Sequence, residues 1–169
     1  LDIGIRERLA KSDDGDFSEP GKGGNLPAGE TFISPELASS KGKIVFDGSI
    51  ASDRGIIMID KPIECDVDAG LVTGIHGGNE AAKLRDTIQR ARERTAEFVD
   101  QGKLPKEELD HYMTNTANLG ELGIGLNPKA TIIGNMLEDE KVYGTCHIAI
   151  GANYDNDAKA LIHLDGLIR

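Results

Sequence analysis

The first part of the chain alternates apolar and polar positions and then loses that alternation. Residues 1–8 (LDIGIRER) have period two, which is typical of a half-buried β-strand, so a first strand is predicted here. Residues 12–27 are rich in Gly, Asp, Ser and Pro, and this composition predicts a long loop. Loops of this length are uncommon within a domain and are often functional, which directs attention to residues 25–35.

Residues 43–114 contain β-rich runs followed by a helical pattern. The runs are separated by Gly, Asp and Pro and predict the strands of an antiparallel meander at 43–47, 55–60, 63–68 and 71–75. Apolar residues then recur every three or four positions from Leu84 to Phe98, which predicts an amphipathic helix with Asn79 as its N-cap. A second, shorter helix is predicted from Pro105, its first helical residue, to about Met113.

After residue 115 the pattern returns to short strands and tight turns, and the glycine-rich segment 123–128 is interpreted as a turn. A chain of 169 residues can close one hydrophobic core but is short for two domains. We therefore predict one α+β domain. Its antiparallel, barrel-like sheet is interrupted by a long helical excursion between residues 79 and 114.

Charge and composition exclude some classes of binding partner. A formal net charge of −10, without a basic patch, argues against nucleic acid and anionic membrane surfaces as partners. No apolar run is long enough to span a bilayer, and the N-terminus lacks the pattern of a signal peptide. Cys65 and Cys146 form neither a C-x-x-C motif nor a disulfide framework. These features favour a cytoplasmic protein.

Two histidines lie in runs that otherwise favour burial, His147 in TCHIAI and His163 in LIHLDG. A buried histidine needs a partner, and for either one alone a hydrogen bond to a backbone carbonyl is the simpler explanation. In a strand, however, His163 and Asp165 project from the same face, as metal ligands often do. Two such histidines only 16 residues apart favour a metal site over two independent core histidines.

Glu30 and Glu121 are single carboxylates surrounded by glycine and apolar residues. Each could be a surface glutamate in a turn, but a buried carboxylate needs a cation or a proton. Two histidines and three carboxylates exceed the needs of one tetrahedral zinc, so a two-metal centre is the natural interpretation, with one metal and outer acids as the alternative. Nitrogen and oxygen ligands suit Zn, Mn, Co or Fe(II).

Several further residues have two interpretations. Tyr154 could donate a hydrogen bond to an oxyanion or touch a metal, or it could be an amphipathic tyrosine at the domain edge. Asp139 and Glu140, in MLEDEK, fit a solvated turn or acceptors that brace the histidines. His76 and His111 have the pattern of surface or helix residues without partners, so they are not assigned to the site.

The motifs together resemble a known family. NLPxxExFxxP at 25–35, Gly-Glu at 120–121, Asp-Glu at 139–140, CHIAIG at 146–151 with Tyr154, and H-x-D at 163–165 resemble the aminopeptidase T and aminopeptidase S metallopeptidases. The resemblance covers about residues 1–165. It implies that residues 1–169 are the C-terminal catalytic domain of a two-domain enzyme whose N-terminal domain is absent.

The resemblance also implies a ligand set and a reaction. The implied ligands of one or two divalent cations (Zn, Co, Mn or Mg) are Glu30, Glu121, His147, Tyr154, His163 and Asp165. Glu30 would be general base or bridging ligand, and Tyr154 would steady the tetrahedral intermediate. The implied function is a leucyl aminopeptidase-like enzyme that hydrolyses N-terminal residues from peptides.

The sequence departs from the aminopeptidase pattern in two respects, and these indicate a related sister group. The segment between Glu30 and Glu121 is longer than in typical aminopeptidases, and GELGIGLNP and GTCHIAIG are closer to the 2,5-dihydroxypyridine dioxygenases. The alternative function is therefore a non-haem Fe(II) extradiol-type dioxygenase that cleaves a hydroxylated aromatic or pyridine ring. Its two-histidine, one-carboxylate face would be His147, His163 and Asp165. A non-catalytic binding domain is the third hypothesis. The partners expected are a peptide or small-molecule substrate and, as the one assembly considered, a homodimer.

Overall fold

The computed structural model describes all residues, 1–169, and contains ten strands and three α-helices. The elements are β1 (Lys11–Asp13), β2 (Glu30–Ile33), β3 (Gly42–Phe46), β4 (Ser49–Ser52), β5 (Gly55–Met58), β6 (Ile63–Asp68), β7 (Leu71–His76), α1 (Asn79–Asp100), a 3-10 turn (Lys106–Glu108), α2 (Leu109–Asn115), β8 (Leu119–Gly125), α3 (Met136–Asp139), β9 (Cys146–Gly151) and β10 (His163–Ile168).

The strands form two antiparallel sheets. Seven strands make the large sheet in the order β1-β2-β8-β9-β10-β4-β5, and three make the small sheet in the order β3-β6-β7. The predicted α+β class, the antiparallel sheet and the long helical excursion are confirmed. The large sheet is open rather than barrel-like, because its end strands β1 and β5 do not pair with each other. No helix combines the length and the apolar character that crossing a bilayer requires.

One face of the large sheet packs against the small sheet and α1. Ile148 and Ile150 of β9 and Leu164 of β10 lie in the same buried cluster as Phe46 of β3 and Leu84 of α1. Burial of each such side chain contributes about 1.5–3 kcal/mol. Because side chains alternate along a strand, the neighbours of these residues must project from the opposite face of the large sheet.

Two strand predictions were wrong. Residues 1–8 form no strand but a turn at 6–7, and Asp2 makes only an isolated bridge to Lys41. The predicted meander is divided between sheets, because β4 and β5 extend the edge of the large sheet beside β10. Alternation along a segment indicates which residues share a face, but it carries no information about the partner strand.

The helices begin and end close to the predicted positions. In α1 the N-cap is Gly78 rather than Asn79, and no side chain caps the helix. Pro105 precedes the 3-10 turn that leads into α2, so it is a cap residue rather than the first helical residue. The segment 123–128, predicted as a turn, begins within β8, which continues to Gly125.

Candidate metal centre

The chemistry-bearing residues project from the face of the large sheet that is opposite the core. In the strand ladders Glu121 of β8 is paired with Ala149 of β9, and Ala149 is paired with Asp165 of β10. Paired residues in an antiparallel sheet point to the same face, and period two extends that face along each strand. The predicted ligands that share this face are Glu30, Glu121, His147, His163 and Asp165.

A β-bulge at Gly120 decides which way Glu121 points. Leu119 is paired with Ile150 and Glu121 with the next residue, Ala149, so the register shifts by one between them. Leu119 therefore faces the core while Glu121 faces the opposite side, although residues two apart in a regular strand share a face. A Cβ atom at Gly120 would collide with the carbonyl oxygen of Ala152, so only glycine fits this bulge.

Small residues leave room for the ligands on this face. Gly123 is paired with His147, and a Cβ atom at Gly123 would collide with the His147 ring. Gly125 is paired with Glu30, and a Cβ atom at Gly125 would collide with the Val142 carbonyl. The glycines that flank Glu121 in the sequence therefore let the imidazole lie against the sheet, as a crowded ligand shell requires.

His147 is fully buried and lies between two carboxylates. Its Nε2 atom is 3.0 Å from Glu121 Oε1 and 3.3 Å from Glu30 Oε2. Burial acts to lower the pKa of His147, but the hydrogen bond with Glu121 and the nearby Asp165 charge outweigh it, so the pKa is raised. Burial raises the pKa of Glu30, despite the opposing effect of the Lys141 ammonium.

One ring nitrogen of His163 is hydrogen-bonded to the backbone, and the other faces the centre. Nδ1 donates a hydrogen bond to the Ala152 carbonyl at 2.8 Å, while Nε2 lies 3.2 Å from Asp165 Oδ1 and 3.6 Å from Glu121 Oε2. Burial acts to lower the pKa of His163, but Asp165 outweighs it and the pKa is raised to about 9. Burial acts to raise the pKa of Asp165, but the hydrogen bond and charge of His163 oppose it, and the pKa is lowered. A backbone acceptor on one nitrogen and a free second nitrogen is the usual arrangement of a metal-binding histidine.

Two ligand groups lie side by side in the centre. Within each group, the ligand atoms lie within 4.8 Å of one another; the groups are Glu121–His163–Asp165 and Glu30–Glu140–His147. Glu121 connects them, because one of its oxygens faces His147 and the other faces His163. The dioxygenase face predicted from the sequence, with His147, His163 and Asp165, is thus divided between the two groups.

Orphaned polar atoms test whether a cation fits. Glu30 Oε2, His147 Nδ1 and Asp165 Oδ1 are buried and make no hydrogen bond of good geometry, although an imidazole nitrogen lies near each of the two oxygens. An unsatisfied buried polar group costs about 1–3 kcal/mol, so three in one cluster need a compensating partner. Carboxylate and imidazole ligands suit divalent Zn, Mn, Co or Fe(II). The residues therefore fit a bound metal ion.

Tyr154 lies at the rim of the centre. Its ring contacts the His163 ring edge-on, with centroids 5.1 Å apart, and the Phe32 ring at the same separation. Burial and the surrounding carboxylates, first among them Glu121, raise the pKa of Tyr154, so the phenol stays protonated. The tyrosine can donate a hydrogen bond, and its role as a metal ligand stays a prediction.

Asp139 is neither a solvated residue nor a brace for the histidines. It is fully buried and accepts a hydrogen bond from Ser49 Oγ at 2.6 Å and another from the Ile133 N–H at 2.8 Å. The carboxylate therefore holds the loop before α3 against β4. Burial of this aspartate is possible because a hydroxyl and several backbone N–H groups satisfy it.

Two further residues belong to the centre: Glu140, which the sequence offered only as a solvated turn residue or a brace for the histidines, and Lys141, which the sequence did not single out. The Lys141 side chain is fully buried, with Nζ 2.7 Å from Glu30 Oε1 and in contact with Glu140 Oε1. Burial and the charge of Asp165 raise the pKa of Glu140 to about 7. In the sequence both residues stand in the charged run LEDEK, which is typical of a solvated turn, so no local pattern indicates burial.

The two histidines left out of the site do lie outside it, although each has a partner. His76 Nε2 is 2.6 Å from Asp66 Oδ2 on the exposed side of the small sheet. His111 Nε2 accepts a hydrogen bond from the Lys159 N–H at 3.2 Å.

A cleft leads from the surface to the centre. It has a volume of about 230 Å³, and Glu30, Phe32 and Tyr154 are among the residues that line it. Asp13 and Asn25, from β1 and the long loop after it, complete the lining. The long loop at residues 12–27, which the sequence analysis marked as a candidate functional loop, therefore borders the cleft. Two larger cavities along α1 contain none of the candidate ligands.

Two solved structures share this fold. A 2,5-dihydroxypyridine dioxygenase from Pseudomonas putida KT2440 superposes with a TM-score of 0.72 and 24% identity, over 96% of this chain and 44% of that one. AmpT from Thermus thermophilus superposes with a TM-score of 0.62 and 16% identity, over 97% of this chain and 38% of that one. The chain thus spans less than half the length of either protein. No curated protein matches the sequence significantly.

A family comparison is more specific than these shared folds. The sequence model of the NicX family, 2,5-dihydroxypyridine 5,6-dioxygenase, matches residues 1–100, more than half of the 169 residues. The matched segment includes Glu30 and Phe32, and the other candidate ligands follow it. The resemblance to aminopeptidases is supported at the level of the fold, through AmpT. The chain belongs to the 2,5-dihydroxypyridine 5,6-dioxygenase family.

Proposed function

We propose that this chain forms the metal centre of a dioxygenase that cleaves a hydroxylated aromatic or pyridine ring. This reverses the order of the two functions expected from the sequence, where the aminopeptidase came first. The observation that carries the proposal is the family match over residues 1–100, in a chain whose cleft to the ligand groups has aromatic walls. Flat rings pack well against such side chains.

The residues that would hold the metal are Glu121, His163 and Asp165, with His147 beside them through Glu121. A bound Fe(II) would supply the one-electron chemistry with O₂ that amino-acid side chains lack. The hydrogen bond from His163 Nδ1 to the Ala152 carbonyl orients the ring so that Nε2 faces the centre.

The side chains of the cleft would bind and orient the substrate. Phe32 and Tyr154 lie with their ring centroids 5.1 Å apart and form one aromatic wall. The protonated Tyr154 hydroxyl can donate a hydrogen bond to a ring substituent. Glu30, which lines the cleft, has a raised pKa and can therefore take or return the proton of a substrate hydroxyl.

A metallo-aminopeptidase is the second candidate, and a specific observation favours it. The two adjacent ligand groups share Glu121 as a link, and paired cation sites are typical of metal-dependent hydrolysis. The fold likeness to AmpT points in the same direction. In that case Glu30 would act as general base or bridging ligand, as the sequence resemblance implies.

The two functions are separated by oxygen uptake. The protein is loaded anaerobically with Fe(II), mixed with 2,5-dihydroxypyridine, and exposed to O₂ in an oxygen electrode. We expect oxygen uptake that matches the loss of the ring absorbance. His163→Ala should abolish the uptake. His76→Ala should retain it, because His76 is exposed and lies outside the centre. Absence of uptake, together with release of N-terminal residues from peptides after Zn or Co loading, would establish the aminopeptidase instead.

A further inference from the structure

One of the two ligand groups already contains a cation from the chain itself. Lys141 Nζ lies 2.7 Å from Glu30 Oε1, contacts Glu140 Oε1, and is 3.9 Å from Asp13 Oδ2. The lysine side chain has no exposure to solvent. A buried ammonium is retained only where carboxylates compensate it, and here three carboxylates surround it.

The other ligand group has no such cation. Around Glu121, His163 and Asp165, the salt bridges within 4 Å are made only by the imidazoles of His147 and His163, and no lysine or arginine takes part. Asp165 Oδ1 is buried and makes no hydrogen bond of good geometry. On the side of β8 and β10 the carboxylates therefore pair with imidazoles, which can give up a proton to a metal ion, and not with a lysine ammonium.

The position of Lys141 is held by the backbone around it. Its carbonyl accepts a hydrogen bond from the Asn127 N–H at 2.8 Å, and its own N–H donates to the Glu138 carbonyl at 3.0 Å. The preceding Asp139 is anchored to Ser49 at 2.6 Å. The backbone that carries Lys141 is therefore fixed, and the carboxylates of Glu30 and Glu140 hold its ammonium.

We propose that Lys141 is a resident cation that takes the place of a second metal ion, so that the centre binds one divalent ion, at Glu121–His163–Asp165. A divalent ion at Glu30–Glu140–His147 would have to share its carboxylates with an ammonium of like charge, which repels it. This inference deepens the proposed function, on which it rests, because paired ions are typical of metal-dependent hydrolysis, whereas non-haem oxygenases use a single Fe(II). Lys141 is a positioning residue, which also holds one oxygen of Glu30.

Metal stoichiometry tests the proposal without any substrate. Mn(II) is titrated into the metal-free protein by isothermal calorimetry, and the bound metal is counted by mass spectrometry. We expect one ion per chain in the wild type and in Lys159→Met, a control in which the exposed lysine pairs with Glu108 at 3.4 Å. Lys141→Met, which keeps the chain length and removes the charge, should bind a second ion at least about tenfold more tightly than the wild type.

The wild-type protein also provides a test that does not depend on whether the variant folds. Electron paramagnetic resonance of the Mn(II)-loaded protein should give the six-line spectrum of an isolated ion. A spin-coupled pair in the wild type, or one ion in a folded Lys141→Met, would overturn the proposal. The stoichiometry is independent of oxygen uptake, so failure of Lys141 as the resident cation and failure of the dioxygenase function give different results.

Discussion

Glu121 Oε1 lies 3.0 Å from His147 Nε2, and this contact, across two neighbouring strands, makes one carboxylate the link between both ligand groups. Its second oxygen faces His163 at 3.6 Å. A residue in this position influences both histidines at once, which a carboxylate at the edge of the centre could not do.

Replacement of this link should weaken metal binding. Glu121→Gln keeps the shape of the side chain but removes its charge, and we expect metal affinity to fall about 10- to 100-fold. Calorimetric titration with Mn(II) measures the change. Glu64→Gln is the matched control, because Glu64 is exposed and pairs only with Lys43 at 3.2 Å. Equal affinities in the two variants would show that Glu121 does not contribute to the centre.

The bulge at Gly120 should be intolerant of any side chain. Gly120→Ala places a Cβ atom against the Ala152 carbonyl, and the backbone must move or the bulge must open. We expect the free energy of unfolding to fall by about 1–3 kcal/mol, with a matching loss of metal affinity as Glu121 turns away. Urea denaturation measures the first effect. Gly23→Ala is the control, since no atom lies within 4 Å of its added Cβ; a loss as large there would contradict the steric argument.

Metal should stabilise the protein, and its removal should reverse the effect. A metal at 100 times its dissociation constant adds about 2.7 kcal/mol to the free energy of unfolding. We expect thermal denaturation to show this gain in the wild type and in His76→Ala. A chelator should reverse the gain, and His163→Ala should not show it. A gain of the same size in His163→Ala would place the ion elsewhere.

The stabilisation by metal should grow as the pH rises from 6 to 9. In the metal-free protein the pKa of His163 is raised from 6.5 to about 9, so the ring is protonated at neutral pH and must lose that proton to bind a metal. The raised pKa also means that protonation stabilises the metal-free fold fully below pH 6.5, and that this contribution is lost as the pH rises through 9. Calorimetry in buffers of different ionisation enthalpy should count about one proton released per ion at pH 7. No proton release would contradict this assignment.

The aromatic wall should affect substrate binding but not the metal. Phe32→Leu removes the ring that packs 5.1 Å from Tyr154, and we expect KM for the ring substrate to rise about 10-fold while the bound metal stays unchanged. Phe98→Leu is the control, because Phe98 lies on α1 beside Arg94. A fall in kcat without a change in KM would show that Phe32 does not bind the substrate.

Local patterns were enough to predict several parts of the fold and of the centre. The three- and four-residue periodicity between Leu84 and Phe98 corresponds to α1, because a helix is defined by neighbours along the chain. The alternation in β9 and β10 likewise indicated that His163 and Asp165 share a face, as they do. Single carboxylates among glycines, such as Glu121, marked positions where the chain makes room for a ligand.

Other features depend on which strands become neighbours. The alternation at residues 1–8 had no partner strand, and β5, predicted as part of the meander, pairs instead with β4 at the edge of the large sheet. The bulge that turns Glu121 away from Leu119 exists only in the ladder with β9. Lys141 and Glu30 are 111 positions apart, so their pairing leaves no trace in either local sequence.

The sequence by itself determined the helix, the strand faces and most of the donor atoms, because each follows from residues a few positions apart. Only the tertiary structure decided that Glu140 and Lys141 are buried beside Glu30. Burial and charge compensation are properties of the neighbours that folding assembles, and a charged run such as LEDEK has the same pattern whether it lies in solvent or in a metal centre.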